Sequence, residues 1–299
     1  MNVDKHYDLI IIGTGSGNSI PGPEFDDKSI AIVEKGTFGG TCLNVGCIPT
    51  KMFVHPADVA LAARESGKLG LSSQVYRVDW PAIGSRIFDQ RIDLIAEGGE
   101  AYRRGPETPN IDVYDQHARF VGERTLQVGD QVISGDQVVI ATGSRPMIPE
   151  QIAASGVTAH TNEDIMRLEQ QPQSIIIVGG GFIAMEFAHV FDSLGTKVHI
   201  VSRSGLMRLL DADICSRVNE EAAKRFDVRV GRTVASAEED HRGITVTLDD
   251  GATLTADALL VATGRIPNGD QMDLDKGGVE MTTDGRVAVD EFGRSTTAE

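Results

Sequence analysis

The sequence has 299 residues and a net charge of −16 at pH 7, with 40% hydrophobic and 24% charged residues. That is a globular composition, long enough for about two domains, and its acidic balance argues against nucleic acid and against an anionic membrane surface as partners. The apolar runs are short (Leu9 to Ile12, Ile175 to Val178 and Ala258 to Ala262 are the main ones), which excludes a membrane span of about 20 residues. The N-terminus shows no signal peptide, and three cysteines, Cys42, Cys47 and Cys215, suit a cytoplasmic protein whose cysteines do chemistry better than a secreted disulfide scaffold.

The first strand, Leu9 to Ile12, runs into Gly13-Thr14-Gly15-Ser16-Gly17-Asn18. A fully apolar run suits a parallel strand covered on both faces. In such a turn Gly13 permits the tight bend, Gly15 lets backbone approach a pyrophosphate, and the helix expected next offers free N–H groups. Asn18 stands where a third glycine is usual, so it either loosens the packing or contacts a ligand. The next strand, Ala31 to Val33, ends at Glu34, 21 positions after Gly13, where a carboxylate can accept from both hydroxyls of an adenosine ribose.

The segment Gly39-Gly40-Thr41-Cys42-Leu43-Asn44-Val45-Gly46-Cys47-Ile48-Pro49-Thr50-Lys51 follows. Four residues separate its cysteines. In a regular helix, positions five apart point about 140° apart and rise about 7.5 Å, too far for a disulfide with Cα atoms about 5.5 Å apart. If these cysteines pair, the helix is distorted or begins between them, and Gly39, Gly40 and Gly46 supply the backbone freedom. Inert buried thiols or a zinc site are the alternatives, but zinc lacks a partner cluster and no metal set is visible. Cys215 reads as structural. Asp58 to Arg104 reads as largely helical. Between Val113 and Ile140, short alternating runs with turns at Gly122 and Gly129-Asp130 predict an antiparallel meander, closed by the strand Gln137 to Ala141 and then Thr142-Gly143.

The same grammar recurs 166 residues later, where Ile175 to Val178 runs into Gly179-Gly180-Gly181-Phe182-Ile183-Ala184, with Ala184 in the third-glycine place. Val198 to Val201 leads into Ser202-Arg203 and on to Arg208, with no acid; forked arginine donors suit a 2′-phosphate and hence NADP(H). Val228 to Val261 predicts a second meander with a hairpin at Asp249-Asp250-Gly251, and Ala258 to Ala262 repeats the closing strand before Thr263-Gly264. The fold class expected is α/β, with two doubly wound Rossmann-like dinucleotide-binding domains, each carrying a small antiparallel β-meander. The boundary between the halves falls near Pro146 to Pro172.

Gly-Gly-Thr-Cys-x-Asn-x-Gly-Cys-x-Pro, together with the two glycine turns and Ala-Thr-Gly strands in their order and spacing, resembles the class I flavoprotein disulfide reductases over all 299 residues. Within them, Ile12 to Ile20, Gly36-Thr37-Phe38, Thr50 to Phe53 and Gly181 to Phe191 are similar to the branch that reduces mycothiol disulfide. The resemblance implies an FAD-binding domain with the redox cysteines over 1–150, an NADPH-binding domain over 151–268, and the start of a return to the FAD domain over 269–299. The C-terminal dimerisation domain would be absent, so the chain reads as truncated, with the complete protein expected to be a homodimer acting on a small-molecule disulfide. The cofactor-binding residues implied are Gly13, Gly15, Gly17, Asn18, Glu34, Lys51, Thr142, Gly143, Gly179, Gly181, Phe182, Ile183, Glu186, Arg203, Arg208 and Gly264. Cys47 would face the flavin as the charge-transfer thiolate, Cys42 would attack the substrate disulfide, and Lys51, paired with Glu186, would lie near the flavin ring. Phe182 would be an aromatic lid over the nicotinamide pocket. The partner subunit's acid–base histidine has no counterpart: His6, His55, His117, His160, His189, His199 and His241 all stand in other contexts, so full turnover is not expected from this polypeptide alone. The rival readings are a dihydrolipoamide dehydrogenase, which should show an acid where Ser202 and Arg203 stand, a mercuric reductase, and a non-catalytic FAD/NADPH-binding module.

Overall fold

Strand β1 (Lys5–Ile12) buries its apolar residues in two different layers, which is why it runs continuously apolar from Leu9 to Ile12. Leu9 and Ile11 pack with Ile30, Ile32 and Phe38, whereas Tyr7, Ile10 and Ile12 pack with Ala31, Val33, Phe120 and Leu126. The structure, a computed structural model, describes residues 2–297; Met1, Ala298 and Glu299, at the ends of the expected 1–150 and 269–299 segments, lie outside the described residues.

The chain forms two compact units. The first comprises residues 1–44, 91–145 and 266–299. It is built on β1, β2 (Ile30–Val33), β3 (Ile111–Tyr114), β4 (Ala118–Gly122), β5 (Thr125–Val128) and β6 (Gln131–Ile140), in one sheet ordered β3-β2-β1-β6-β5-β4. β1 pairs parallel with β2 and with β6, and β2 parallel with β3. The meander β4-β5-β6 is antiparallel, as its turns predict, but it is not a separate sheet: β6 is long enough to pair with β5 on one edge and with β1 on the other, from Lys5↔Ile133 to Ile12↔Ile140.

One sequence expectation is overturned here. No α-helix follows the first glycine turn: Ser16–Ser19 is a single 3₁₀ turn, and a second such turn covers Pro23–Phe25. Pro21 has no N–H to give to the carbonyl of Gly17, and Pro23 repeats the block two residues on, so a helix cannot propagate. The stretch from Asp58 to Arg104 is largely helical, as expected, in Cys47–Glu65, Trp80–Ile87 and Asp93–Arg104 with a π turn at Phe88–Ile92. Residues 70–79 are irregular. Gly70 (φ +73°) ends the preceding turn, and Asp79 restarts the helix by accepting from the N–H of Ala82, with Pro81 in the first turn.

The second unit comprises residues 45–90 and 146–265, reached along β7 (Ser144–Pro146). Its further strands are β8 (Ala159–His160), β9 (Ser174–Val178), β10 (Lys197–Ser202), β11 (Asp227–Val230), β12 (Val234–Asp240), β13 (Gly243–Leu248), β14 (Thr253–Ala256) and β15 (Ala258–Val261), before the chain leaves along β16 (Arg265–Pro267). Strands β11-β10-β9-β15-β8 form a parallel sheet. The meander β12-β13-β14 is a sheet of its own, with the Asp249–Gly251 turn where the sequence predicts it. The second glycine turn does lead into a full helix, Phe182–Ser193, and Ala184 is completely buried in the place of the third glycine. Among the described residues no helix is long and apolar enough to cross a membrane.

Candidate active site

The first glycine turn is set by steric need. Gly13 has φ +105°, and a Cβ there would lie 2.3 Å from the carbonyl oxygen of Ala141. A Cβ on Gly17 would lie 2.8 Å from Ile11 and 2.9 Å from Ala141 side-chain atoms. Gly40, at φ +68°, approaches so closely that its Cβ would lie 2.5 Å from the Cα of Gly15, so the cysteine segment rests directly on the turn. Glu34 ends β2 as expected, and its carboxylate is already engaged. One oxygen accepts from the Thr14 N–H (3.0 Å) and hydroxyl (2.7 Å), and the other from the Gly36 N–H (2.9 Å). The Thr14 hydroxyl also accepts from the N–H of Gly39 at 2.9 Å. Thr14, 1% exposed and not singled out by sequence, thereby joins the turn, the strand-end acid and the approach to Cys42.

Asn18 is held from below. Its side-chain oxygen accepts from Arg103 Nε at 2.9 Å, and its backbone carbonyl from Arg103 Nη2 at 2.8 Å. Arg103 is 9% exposed and forms no ion pair among the described residues. A buried guanidinium aimed at the turn supplies positive charge where the missing helix supplies none. Nothing local in the sequence marks Arg103, which stands 85 residues from Asn18. Thr142 and Gly143 are anchored from their carbonyls, by the side-chain amide and the N–H of Asn268 at 2.8 and 3.0 Å. A cavity of about 340 Å³ opens beside them and is lined also by Ser144, Gly285 and Arg286.

The helix is interrupted between the cysteines. Cys42 lies in the short helix Gly40–Asn44, the backbone breaks at Gly46, and Cys47 is the first residue of the 19-residue helix Cys47–Glu65. Cys42 and Cys47 are both disulfide-bonded and Cys215 is free, which pairs the first two with each other. At the helix start, Cys47 sits in the positive end of the peptide dipoles, which favours its thiolate once the bond is reduced. Asn44 is buried between the cysteines in sequence. Its amide donates to the carbonyls of Phe38 (2.9 Å) and Gly40 (3.0 Å), while its oxygen is buried and has no hydrogen-bond partner among the described residues. Pro56 removes one bond from the long helix, freeing the carbonyl of Met52, and Arg86 donates to that carbonyl at 3.2 Å. One turn past Cys47, Lys51 forms an ion pair with Glu186 of the helix Phe182–Ser193.

The second turn repeats the first. Gly179 has φ +142°, and a Cβ there would lie 2.2 Å from the carbonyl oxygen of Ala262. Gly181 precedes the helix, has open space where a Cβ would be, and leaves the N–H groups of Phe182 and Ile183 at a free helix start. Phe182 is 64% exposed. Arg203 and Arg208 lie exposed on the loop after β10, and neither forms an ion pair among the described residues. Gly264, at φ +148°, accepts from the N–H of Met147 at 3.0 Å. Cys215 donates to the carbonyl of Met207 at 3.1 Å, a structural contact.

These residues fit dinucleotide phosphates at both turns. A Cβ on Gly15 would meet nothing nearer than the Cα of Gly40 at 3.7 Å, and one on Gly181 would meet nothing, so a phosphate can approach either backbone. Two glycine turns of one design thus stand in the chain, with a disulfide pair on the segment that follows the first. The chain belongs to the pyridine nucleotide-disulphide oxidoreductase family, whose model matches residues 7–299. It is 49% identical over 297 residues to mycothione reductase of Mycobacterium tuberculosis (strain ATCC 25618 / H37Rv), covering 97% of this chain and 64% of that protein. It is 30% identical to glutathione reductase of Burkholderia cepacia, covering 97% of this chain and again 64% of the relative. The HOCl-induced flavoprotein disulfide reductase RclA from Escherichia coli, in its Cu(II) complex, superposes with a TM-score of 0.83 at 25% identity, over 99% of this chain and 64% of that one. The chain therefore spans about 64% of the length of the mycothione and glutathione reductases it matches.

Proposed function

We propose that the protein is an NADPH-dependent FAD flavoenzyme that reduces a low-molecular-weight disulfide, with mycothiol disulfide as its substrate, through Cys42 and Cys47. The observation that carries this reading is the disulfide pair at an interrupted helix, with the second cysteine at the start of a long helix. The 49% identity to a mycothione reductase supports the choice of substrate. The first turn, with Glu34, Thr142 and Gly143, holds FAD. The second turn, with Phe182, Ile183, Arg203, Arg208 and Gly264, holds NADPH. The absence of an acid at Ser202 and Arg203 speaks against an NAD-dependent relative.

A flavin held at the first turn would supply two-electron redox chemistry between a nicotinamide and the disulfide. The chain's own residues then do the sulfur chemistry. Reduced Cys42, as thiolate, attacks one sulfur of the substrate disulfide; one thiol leaves with a proton and a mixed disulfide forms. Cys47 attacks the Cys42 sulfur, the second thiol leaves, and the Cys42–Cys47 bond returns. Lys51, held by Glu186, supplies the cation that favours reduced flavin. The complete protein acts as a homodimer in the cytoplasm.

The test is disulfide-dependent NADPH consumption by the complete, FAD-loaded protein. Mycothiol disulfide should be turned over faster than glutathione disulfide, and Cys42→Ser should abolish the reaction. Turnover that survives Cys42→Ser contradicts the mechanism, and equal rates with both disulfides contradict the substrate.

A further inference from the structure

Among the described residues the two arginines assigned to NADPH have no carboxylate to orient them, so their backbone has to. The loop that carries them is fastened at unusually many points for a surface segment. Asn219, on the helix Ala212–Arg225, accepts from the N–H of Leu206 at 3.2 Å, donates to the carbonyl of Cys215 at 2.7 Å, and approaches the carbonyl of Leu206 at 3.5 Å. Leu206 is fully buried. The next residue, Met207, takes the left-handed conformation (φ +53°), and its N–H donates to the carbonyl of Gly180, inside the second glycine turn, at 2.7 Å. Gly205 is also left-handed, at φ +87°, and its carbonyl accepts from the Ser202 hydroxyl at 2.8 Å. Arg208 therefore follows a residue tied directly to the phosphate turn, and Arg203 precedes a bend closed by Ser202.

We propose that Asn219 is the positioning residue for cofactor choice. By pinning Leu206 it keeps Met207 on Gly180, and so presents Arg203 and Arg208 at a fixed distance from the turn that takes the pyrophosphate. The ligand selected is a dinucleotide carrying a 2′-phosphate. An asparagine suits this place because its side-chain amide accepts from a loop N–H through its oxygen and donates to a helix carbonyl through its nitrogen at the same time. This rests on the reading that Arg203 and Arg208 bind the 2′-phosphate of NADPH.

The experiment titrates NADPH and NADH separately into the FAD-loaded chain, following nucleotide binding by calorimetry under conditions where turnover is absent, with 2′,5′-ADP and 5′-AMP as non-reducing probes. Asn219→Ala should weaken NADPH and 2′,5′-ADP about tenfold, while NADH and 5′-AMP stay within about twofold of the parent, where no charge-assisted bond is at stake. Asn219→Asp keeps the acceptor for Leu206, loses the donors and should fall between the two; it serves if the alanine variant does not fold. An unchanged NADPH to NADH ratio in both variants overturns the proposal, and so does equal weakening of both nucleotides, which is what a merely structural residue gives. If the parent shows no preference for NADPH, or Arg203→Ala with Arg208→Ala leaves the preference intact, the NADPH reading itself fails and the role of Asn219 falls with it. Those results are seen without any Asn219 variant, so the two failures are distinguishable.

Discussion

Gly13 and Ala141 are in backbone contact: a single added Cβ on Gly13 would stand 2.3 Å from the Ala141 carbonyl oxygen, and Gly179 and Ala262 reproduce the relationship at 2.2 Å. Each pair joins the end of a central parallel strand to the Ala-Thr-Gly end of its neighbour. Both glycines also occupy positive φ, at +105° and +142°. Alanine at either site meets strain and collision together, costing about 1–3 kcal/mol.

The two substitutions should separate the two nucleotides. Gly13→Ala is expected to empty the flavin site and leave nicotinamide-nucleotide binding in place, and Gly179→Ala the reverse. The ratio of flavin to protein absorbance and calorimetric titration with NADPH check this. Loss of both ligands in both variants shows that the turns do not act separately.

Among the described residues Arg103 has no counter-ion, and its hydrogen bonds go to the turn at Asn18 and Pro21. Arg103→Met is expected to weaken FAD by about tenfold or more, since a hydrogen bond from a charged donor contributes about 1.5–3 kcal/mol. Arg103→Lys should recover only part, because the Asn18 contacts use two nitrogens of one planar guanidinium. Flavin fluorescence titration measures both, and an unchanged FAD affinity in Arg103→Met refutes the assignment.

Acid should destabilise the fold through a few identified carboxylates. Burial works to raise the pKa of Asp112, but hydrogen bonds from Lys5 and from Tyr7 (2.6 Å) outweigh it and hold the carboxyl below its usual value. Asp227 follows the same logic, with burial opposed by bonds from His199 and Arg229. A folded-state pKa below the unfolded one stabilises the protein at every pH above about 4, and the contribution is lost as pH falls through the folded value. The melting temperature should therefore fall below about pH 4, less steeply in Asp112→Asn, which starts from a lower stability at neutral pH. A parallel decline in parent and variant contradicts the role of Asp112.

The sequence made the sheets legible for a physical reason. The runs Leu9 to Ile12, Ile175 to Val178 and Ala258 to Val261 are buried throughout, so they lack polar residues, and the first two end at Gly13 and Gly179, where positive φ and close backbone leave no room for a Cβ. The cysteine segment was legible too, because its spacing cannot close in a regular helix and its glycines supply the break. The helix after Gly13 does not form because Pro21 and Pro23 outweigh the glycine pattern that otherwise leads into one. Arg103 and Asn219 were out of reach from sequence. Each bonds to irregular backbone, and nothing in a sequence reports which carbonyls a distant turn leaves open. Thr14 was also missed, as a residue between two informative glycines.

The central claim is that electrons from NADPH reach the Cys42–Cys47 bond. The direct measurement is the number of free thiols in the FAD-loaded protein, counted in denaturant before and after anaerobic addition of NADPH. The oxidised protein should show one thiol, that of Cys215, and the NADPH-treated protein three, as Cys42 and Cys47 are released. A count that stays at one after NADPH, in protein that dithiothreitol can bring to three, contradicts the account.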